Sequence, residues 1–348
     1  EKIKSCIGCK SCSIMSGFGG AGAFSDGKLN TGTKDPRIRQ VLQTFADCGA
    51  PEEILWQAKP HIGTDVLMYV VKNMREEIIR LGGEVHFGAR MTEIVRTNGV
   101  ISALRYEDEH GEHELCASHV ILAIGHSARD TFTMLHDSRF FLQQKPFSIG
   151  ARIEHPQMLI NRAQYGDFAA HPALGAADYK LALHLPSGRS VYTFCMCPGG
   201  SVVASASEPE SVVTNGMSCF ARDLENANSA LLVGVGPEDF GSEHPLAGMY
   251  LQREIERKAF QLGGRTGKAP AQLAGDLLEG RASAAIRSVQ PSYMPGVVMG
   301  DLGELLPDYI IAAMREALPL LGRKLRGFDH PDSLLTGPET RSSSPVHI

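Results

Sequence analysis

An α/β fold carrying a β insertion is the class this sequence predicts, and three observations predict it. A helical stripe beginning at Thr64-Asp65 runs directly into a short extended segment at 84–87. Three short strands follow, separated by turns at Asn98-Gly99 and Glu109-His110-Gly111. A fully apolar run, Val120-Ile121-Leu122-Ala123-Ile124, then stops at Gly125. Helix, strand, meander and buried strand in that order is an α/β arrangement.

Each element has a local cause. Asp35-Pro36 opens a helix, with Asp as N-cap and Pro at the first helical position. Ile38, Val41, Leu42 and Phe45 mark its buried stripe, and Gly49 ends it. In the next helix Leu67, Val70, Val71, Met74, Ile78 and Leu81 recur at three- and four-residue steps, the period of one helix face. Gly82-Gly83 stops it. The meander strands are expected at 91–95, 100–106 and 112–116. From about 145 the texture changes. Strands at 147–153 and 189–194 are joined by long Gly/Ser/Pro-containing connections. Two later helices cover 246–262 and begin near Asp308. The second carries Ile310, Ala313, Met314, Ala317 and Leu321 on one side, and Pro319 is expected to kink it. A second domain is placed at 145–335. The chain holds no internal repeat and no low-complexity tract.

Composition narrows the function. With 43% apolar and 21% charged residues in a chain of 348, this is globular material able to bury a sizeable core. The net charge of -5 is well mixed, and no basic stripe supports nucleic-acid binding. No run approaches the ~18 apolar residues of a membrane span. The chain opens Glu1-Lys2-Ile3-Lys4 with neither initiator Met nor signal peptide, so it reads as an excerpt of a cytoplasmic protein.

Four stretches carry chemistry. The first runs from Gly17 to Asn30. Gly17, Gly19 and Gly22 formally fit G-x-G-x-x-G, but a dinucleotide fingerprint needs a strand before it and a helix after it. Only Ser13-Ile14-Met15 precedes, and Gly27, Asn30 and Gly32 follow. The stretch is either a flexible surface loop or a backbone cradle for a flat or anionic ligand. The second is the apolar strand ending in Gly125-His126-Ser127-Ala128-Arg129-Asp130. A plain sheet-end turn, a ligand site at the carboxyl end of a strand and a hydrolase elbow with Ser127 as nucleophile compete here. Arg129 stands where the elbow needs a small residue.

The third is Cys6-Ile7-Gly8-Cys9-Lys10-Ser11-Cys12, a spacing that suits a soft metal or an iron–sulfur cluster but is one ligand short. Cys195 or Cys197 is a candidate fourth ligand. A redox thiol pair and unligated cysteines are the other readings. The fourth is the tail from Glu339 to Ile348, where Arg341 either meets an anionic group or sits in a solvated terminus. His61, His126 and His155 lie beside unusual loops and are candidate acid/base groups. Cys195 is a weaker one.

Together these segments resemble the uncharacterised bacterial FAD-dependent dehydrogenases. The carriers are Gly19 to Asn30, His61-Ile62-Gly63-Thr64-Asp65, Ala123 to Thr131, Lys145 to Gly150, Arg152 to Pro156, Phe194 to Gly200, Val213 to Met217 and Glu339 to Pro345. The resemblance covers nearly the whole chain. It implies a flavoprotein with two dinucleotide-binding-type domains: an FAD/NAD(P)-binding Rossmann-like domain with an inserted α+β substrate or cap domain. Residues 1–144 would belong to the FAD-binding domain, 145–335 to the cap, and 336–348 would return to the first. Gly19, Gly20, Gly22, Phe24, Ser25, Asp26 and Lys28 would line the flavin side. Ala123, Gly125 and Ser127 would sit near the nucleotide half. The implied activity is hydride transfer between FAD and a small-molecule substrate, with NAD(P)H as the candidate electron donor. The resemblance also implies an N-terminal GxGxxG unit and a C-terminal Gly-rich helix, both expected to be missing here. The alternatives are a metal or iron–sulfur module built on Cys6, Cys9 and Cys12, and a non-catalytic truncated relic.

Overall fold

The computed structural model describes residues 18–23 and 26–348. Phe24, Ser25 and the Cys6, Cys9 and Cys12 cluster lie outside the described residues. Cα packing divides the chain into two units. One takes the stretch up to Glu77 with Ser148–Gly234 and Arg253–Ser342; the other takes Ile78–Phe147, Val235–Gln252 and Ser343–Ile348.

The first unit is built on a seven-stranded mixed sheet. Its strand order is Val297–Met299, Ala269–Leu273, Leu334–Glu339, Phe147–Pro156, Asn226–Val235, Ser190–Cys197, Ala182–His184. The strand Phe147–Pro156 is buried at every position before Pro156, and its neighbour Asn226–Val235 is buried at all but one. Continuous burial without alternation means that both sheet faces are covered. The helix Asp308–Lys324 supplies part of that cover, burying Ile310, Met314, Ala317 and Leu321 at helical spacing and packing on the strands Ser190–Cys197 and Ala182–His184. Pro319 stays inside this helix without ending it.

The first helix is Arg37–Asp47, and its start differs from the prediction: Pro36 is the cap rather than the first helical residue, while the Asp35 carboxylate one step earlier accepts the Arg37 backbone N–H at 2.9 Å. The expected stripe is not buried either, because Val41 is 52% exposed and Leu42 and Phe45 only border the neighbouring core. The second helix is Thr64–Arg80. Its Leu67 and Val70 join Cys48, Ala50, Ile54 and Ile62 in one buried cluster. Gly150 marks a close backbone approach in the main sheet. A Cβ built there falls on the Leu231 carbonyl oxygen of the neighbouring strand.

The second unit contains the predicted meander, an antiparallel sheet of Arg90–Thr97, Val100–Asp108 and Gly111–Cys116. A helix the sequence reading did not single out, Arg129–Asp137, follows. Its Phe132 and Leu135 form a core with Ile94, Leu142, Leu246, Met249 and Val346. Two expected strands are absent: residues 84–87 and 120–124 form none. An extended segment becomes a strand only when a neighbour takes its N–H and C=O groups, and among the described residues no strand pairs with either segment. Ile121 is accordingly 92% exposed despite its apolar surroundings in sequence.

Gly150→Ala should destabilise the protein by about 1–3 kcal/mol through overpacking against the Leu231 carbonyl. The measurement is the urea midpoint, which should fall with an unchanged slope. An unaltered midpoint would mean that the neighbouring strand gives way at no cost.

Candidate functional site

The chemically richest part of the first unit grows outward from the glycine-rich stretch. Gly20–Ala23 forms one short helical turn. Beyond it, residues 26–29 are clamped to the start of the second helix. Leu29 N–H donates to the Pro60 carbonyl, Ile62 N–H to Gly27 and Gly63 N–H to Asp26, all at 3.0–3.1 Å. Gly63 adopts φ +78°, and a Cβ there would strike the Phe220 backbone nitrogen. That is why a glycine stands between His61 and the helix.

Asp26 is buried and anchors the cluster. Arg222 grips it with two guanidinium nitrogens, Nε at 2.8 Å from Oδ1 and Nη2 on Oδ2. Lys28 Nζ lies 3.0 Å from Asp26 Oδ2 and donates to the Met196 carbonyl. Burial alone would raise the Asp26 pKa. The Arg222 hydrogen bonds and the Lys28 charge outweigh it, and the net displacement is below the ordinary value of 3.8. His61 stacks on Phe220 with ring centroids 5.2 Å apart, and its Nε2 is 3.2 Å from the Phe220 carbonyl. Burial, and then the Arg222 charge, lower its pKa. One carboxylate facing two permanent cations leaves this cluster with an excess positive charge.

Behind Lys28 lies the turn Cys195-Met196-Cys197. Opposite it, on the central strand, the fully buried Arg152 spends its donors in four directions. Nε meets Asn228 Oδ1 at 2.9 Å, Nη1 meets both oxygens of Glu339 at 3.0 Å, and Nη2 meets the Cys195 carbonyl at 2.5 Å. Nη2 also approaches Cys197 Sγ at 3.7 Å. Burial would lower the pKa of Arg152, but the Glu339 charge and then Cys197 reverse this and raise it. Further along the same tail, Arg341 and Thr340 bond the buried Glu256: Arg341 Nε at 2.9 Å, its Nη2 at 2.6 Å and Thr340 Oγ1 at 2.6 Å. The tail around Arg341 is therefore an internal ion-pair segment, not a solvated terminus.

The structure brings Asp26 and Lys28 together, with Gly19 and Gly20 in the turn before them. Gly19 and Gly20 both have positive φ, and a Cβ at Gly19 would press on Val71. Gly22 contributes backbone to the short helical turn. Ala123, Gly125 and Ser127 fall in the other unit. There Gly125 has φ +68°, and Ser127 Oγ sits 2.9 Å from His126 Nδ1. His155 is fully buried, Nε2 bonded to the Phe328 carbonyl at 2.7 Å, and burial lowers its pKa to about 4. It is a packed neutral histidine without solvent access. Sequence reasoning missed Arg152, Arg222, Asn228 and Glu339 as site residues. Arg152 had one available signal, a charged residue following the run Phe147–Ala151, which reads as a buried strand. Among the described residues no group of three or more His, Cys, Asp or Glu side chains is placed to hold a metal, and no helix is long and apolar enough to cross a membrane.

The fold is mixed α/β, with a glycine-rich loop tied through Lys28 to a large mixed sheet. The model of the family described as FAD-dependent protein, C-terminal domain-like, matches residues 146–342, and the chain belongs to that family. It is also 49% identical over 336 residues to an uncharacterized protein of Clostridium beijerinckii (strain ATCC 51743 / NCIMB 8052). That alignment takes in 96% of this chain and 62% of the relative, so the chain spans about three-fifths of the relative's length.

Asp26→Asn tests the anchor. A carboxyl whose folded pKa lies below 3.8 contributes stability that is present above that value and lost as pH falls through the folded pKa. The variant should lose stability at neutral pH, and the stability gap from wild type should narrow below about pH 4, read by thermal melts across pH 2–7. A gap that stays constant with pH would remove ion pairing as the cause.

Proposed function

We propose that this chain forms part of an FAD-dependent oxidoreductase that transfers a hydride between flavin and a small-molecule substrate. Family membership supports the flavin, and the charge of the Asp26, Lys28 and Arg222 cluster supports its placement. The single observation that carries the reading is Lys28, a cation pinned by the buried Asp26 and the Met196 carbonyl beside a glycine-rich turn. The residues fit the group: two cations against one carboxylate suit a ring edge that gains negative charge on reduction, and backbone without Cβ atoms suits a flat ligand. In this reading Gly19, Gly20, Gly22, Phe24, Ser25, Asp26 and Lys28 line the flavin side. Ala123, Gly125 and Ser127 take the nucleotide half of a Rossmann-like domain, and residues 145–335 form the cap. NAD(P)H is the proposed electron donor.

The flavin, when bound, supplies the hydride chemistry, and the protein supplies position and polarity. Asp26 fixes the Lys28 ammonium in place and does not move protons, because its carboxyl stays ionised. Lys28 holds positive charge where the reduced ring edge would carry negative charge. Arg222 keeps Asp26 from neutralising Lys28 outright by sharing the same carboxylate.

The test is an absorption spectrum of purified full-length protein with chromophore release by heat, followed by a redox titration of Lys28→Ala. Flavin near one equivalent per protein is expected, and the variant's midpoint potential should fall by about 30 mV or more, equivalent to ~1.4 kcal/mol for two electrons. A colourless protein that cannot be reconstituted with FAD sinks the flavoprotein reading. A flavoprotein whose potential ignores the substitution removes Lys28 from the role.

A further inference from the structure

The mechanism above uses the Met196 carbonyl but leaves the thiols of Cys195 and Cys197 unused, and the geometry of this turn is unusual. The strand Ser190–Cys197 carries a bulge at this point: Cys197 stands opposite Asn228, while Phe194 stands opposite Ala230. Three residue steps on one strand meet two on the other, so one residue is left over. Cys195 absorbs it with φ +46°, a left-handed conformation rare for a side chain other than glycine's. Two consequences follow. The Cys195 carbonyl turns onto Arg152 Nη2 at 2.5 Å. The Cys197 sulfur comes to 3.2 Å from the Cys195 carbonyl oxygen. Regular strand residues two apart are separated by about 6.6 Å along the chain, at the far end of the Cα separation a disulfide accepts, and the bulge folds that step.

The two thiols are not equivalent. Cys197 is fully buried, and Cys195 is half-buried. A buried cysteine serving only as a small apolar side chain has no need of a guanidinium beside it. Cys197 has Arg152 Nη2 at 3.7 Å, and the Lys28 charge also acts on it. A protonated Cys197 would donate to the Cys195 carbonyl 3.2 Å away. The ionised form instead accepts from the Cys195 thiol and from Arg152. The Cys195 hydrogen bond, then the Arg152 and Lys28 charges, outweigh burial and bring the Cys197 pKa down to about 6. The same hydrogen bond and burial hold Cys195 well above its ordinary value. A nucleophilic thiolate paired with a protonated neighbour is the division of labour of a two-cysteine peroxide-reactive site.

We propose that Cys197 and Cys195 form a reversible dithiol/disulfide couple oxidised by small hydroperoxides, with Cys197 as the attacking thiolate and Cys195 as the resolving thiol. The Cys197 sulfur attacks one peroxide oxygen. The S–O bond forms, the O–O bond breaks, and the departing alkoxide or hydroxide takes a proton from solvent and leaves as alcohol or water. Cys197 is then a sulfenic acid. The Cys195 sulfur attacks it, the S–S bond forms, and the released hydroxide leaves as water with the Cys195 proton. Two thiols and one hydroperoxide give one disulfide, one alcohol or water, and one further water. Both electrons pass from sulfur to the peroxide oxygen. Arg152, 3.7 Å from the Cys197 sulfur, holds positive charge beside it, and the complete burial of Cys197 restricts the reagent to small hydroperoxides. The couple stands independently of the flavin reading.

The experiment treats purified full-length protein with limiting hydrogen peroxide and maps its cysteines by mass spectrometry of peptides. The exposed Cys116 serves as an internal standard. The peptide holding Cys195 and Cys197 should lose two hydrogens, about 2 Da, reversibly with dithiothreitol. Its thiols should disappear about tenfold faster than Cys116, reflecting the larger thiolate fraction tempered by lower intrinsic nucleophilicity. In Cys195→Ser, dimedone should label Cys197, and in Cys197→Ser neither a disulfide nor a label at Cys195 should appear. Both thiols surviving a dose that oxidises Cys116 would overturn the proposal. So would a disulfide linking either one to Cys6, Cys9 or Cys12. The wild-type map decides the matter even if a variant fails to fold.

Discussion

The ion pair between Arg152 and Glu339 is the constraint on which the rest of the first unit depends. Both side chains lie on adjacent central strands of the main sheet and are almost fully buried. Taking a guanidinium and a carboxylate out of water costs several kcal/mol per ion, and only good geometry with further hydrogen bonds offsets this. Arg152 achieves it by bonding Glu339, Asn228 and the Cys195 carbonyl at once. Removing any one partner leaves a charge or a donor stranded in the core. The pair therefore fixes the relation between the strands Phe147–Pro156 and Leu334–Glu339, and between both and the Cys195 turn. Even the neighbouring Gly216 is set by it, since a Cβ there would fall on the Arg152 guanidinium.

From that anchor the site is assembled in layers. The bulge at Cys195 aims the Met196 carbonyl at Lys28, and Lys28 ties the glycine-rich loop to the sheet. Asp26 then couples Lys28 to Arg222, while Asp65 accepts the Phe220 N–H at 2.8 Å and holds the segment bearing Arg222 against the second helix. The outcome is two ion-paired clusters, Glu339–Arg152 in the sheet and Asp26 with Lys28 and Arg222 in the loop, joined through the carbonyls of Cys195 and Met196. Each buried member is satisfied by the next, which is how a polar network persists in an apolar interior.

Legibility in the sequence followed the range of the interaction. The helix start at Thr64, the stop at Gly82-Gly83 and the meander from 90 to 116 all depend on residues within a few positions of one another, and they were readable; the first helix was read too, but with its cap one residue early. The loop around Asp26 and Lys28 was readable only as a choice between a ligand cradle and a surface loop, because its clamp to Pro60, Ile62 and Gly63 and its contact with Met196 are tertiary. The apolar run 120–124 was read as a strand, although hydrophobicity states only a preference for burial and a strand also requires a hydrogen-bonded neighbour. The tail around Arg341 was read between a solvated end and an anion contact, and the anion turned out to be the chain's own Glu256.

By itself, the sequence determined much of the secondary-structure punctuation, the glycines needed at positive φ and the apolar stripe of the second helix. These are local, and local chain geometry decides them. Only the tertiary structure decided that Arg152 meets a carboxylate 187 residues away, that Cys197 lies beside a guanidinium, and that Arg222 completes the cluster around Asp26. The physical reason is that a charge can be buried only where a partner is delivered to it, and the sheet topology alone fixes which distant residue arrives there.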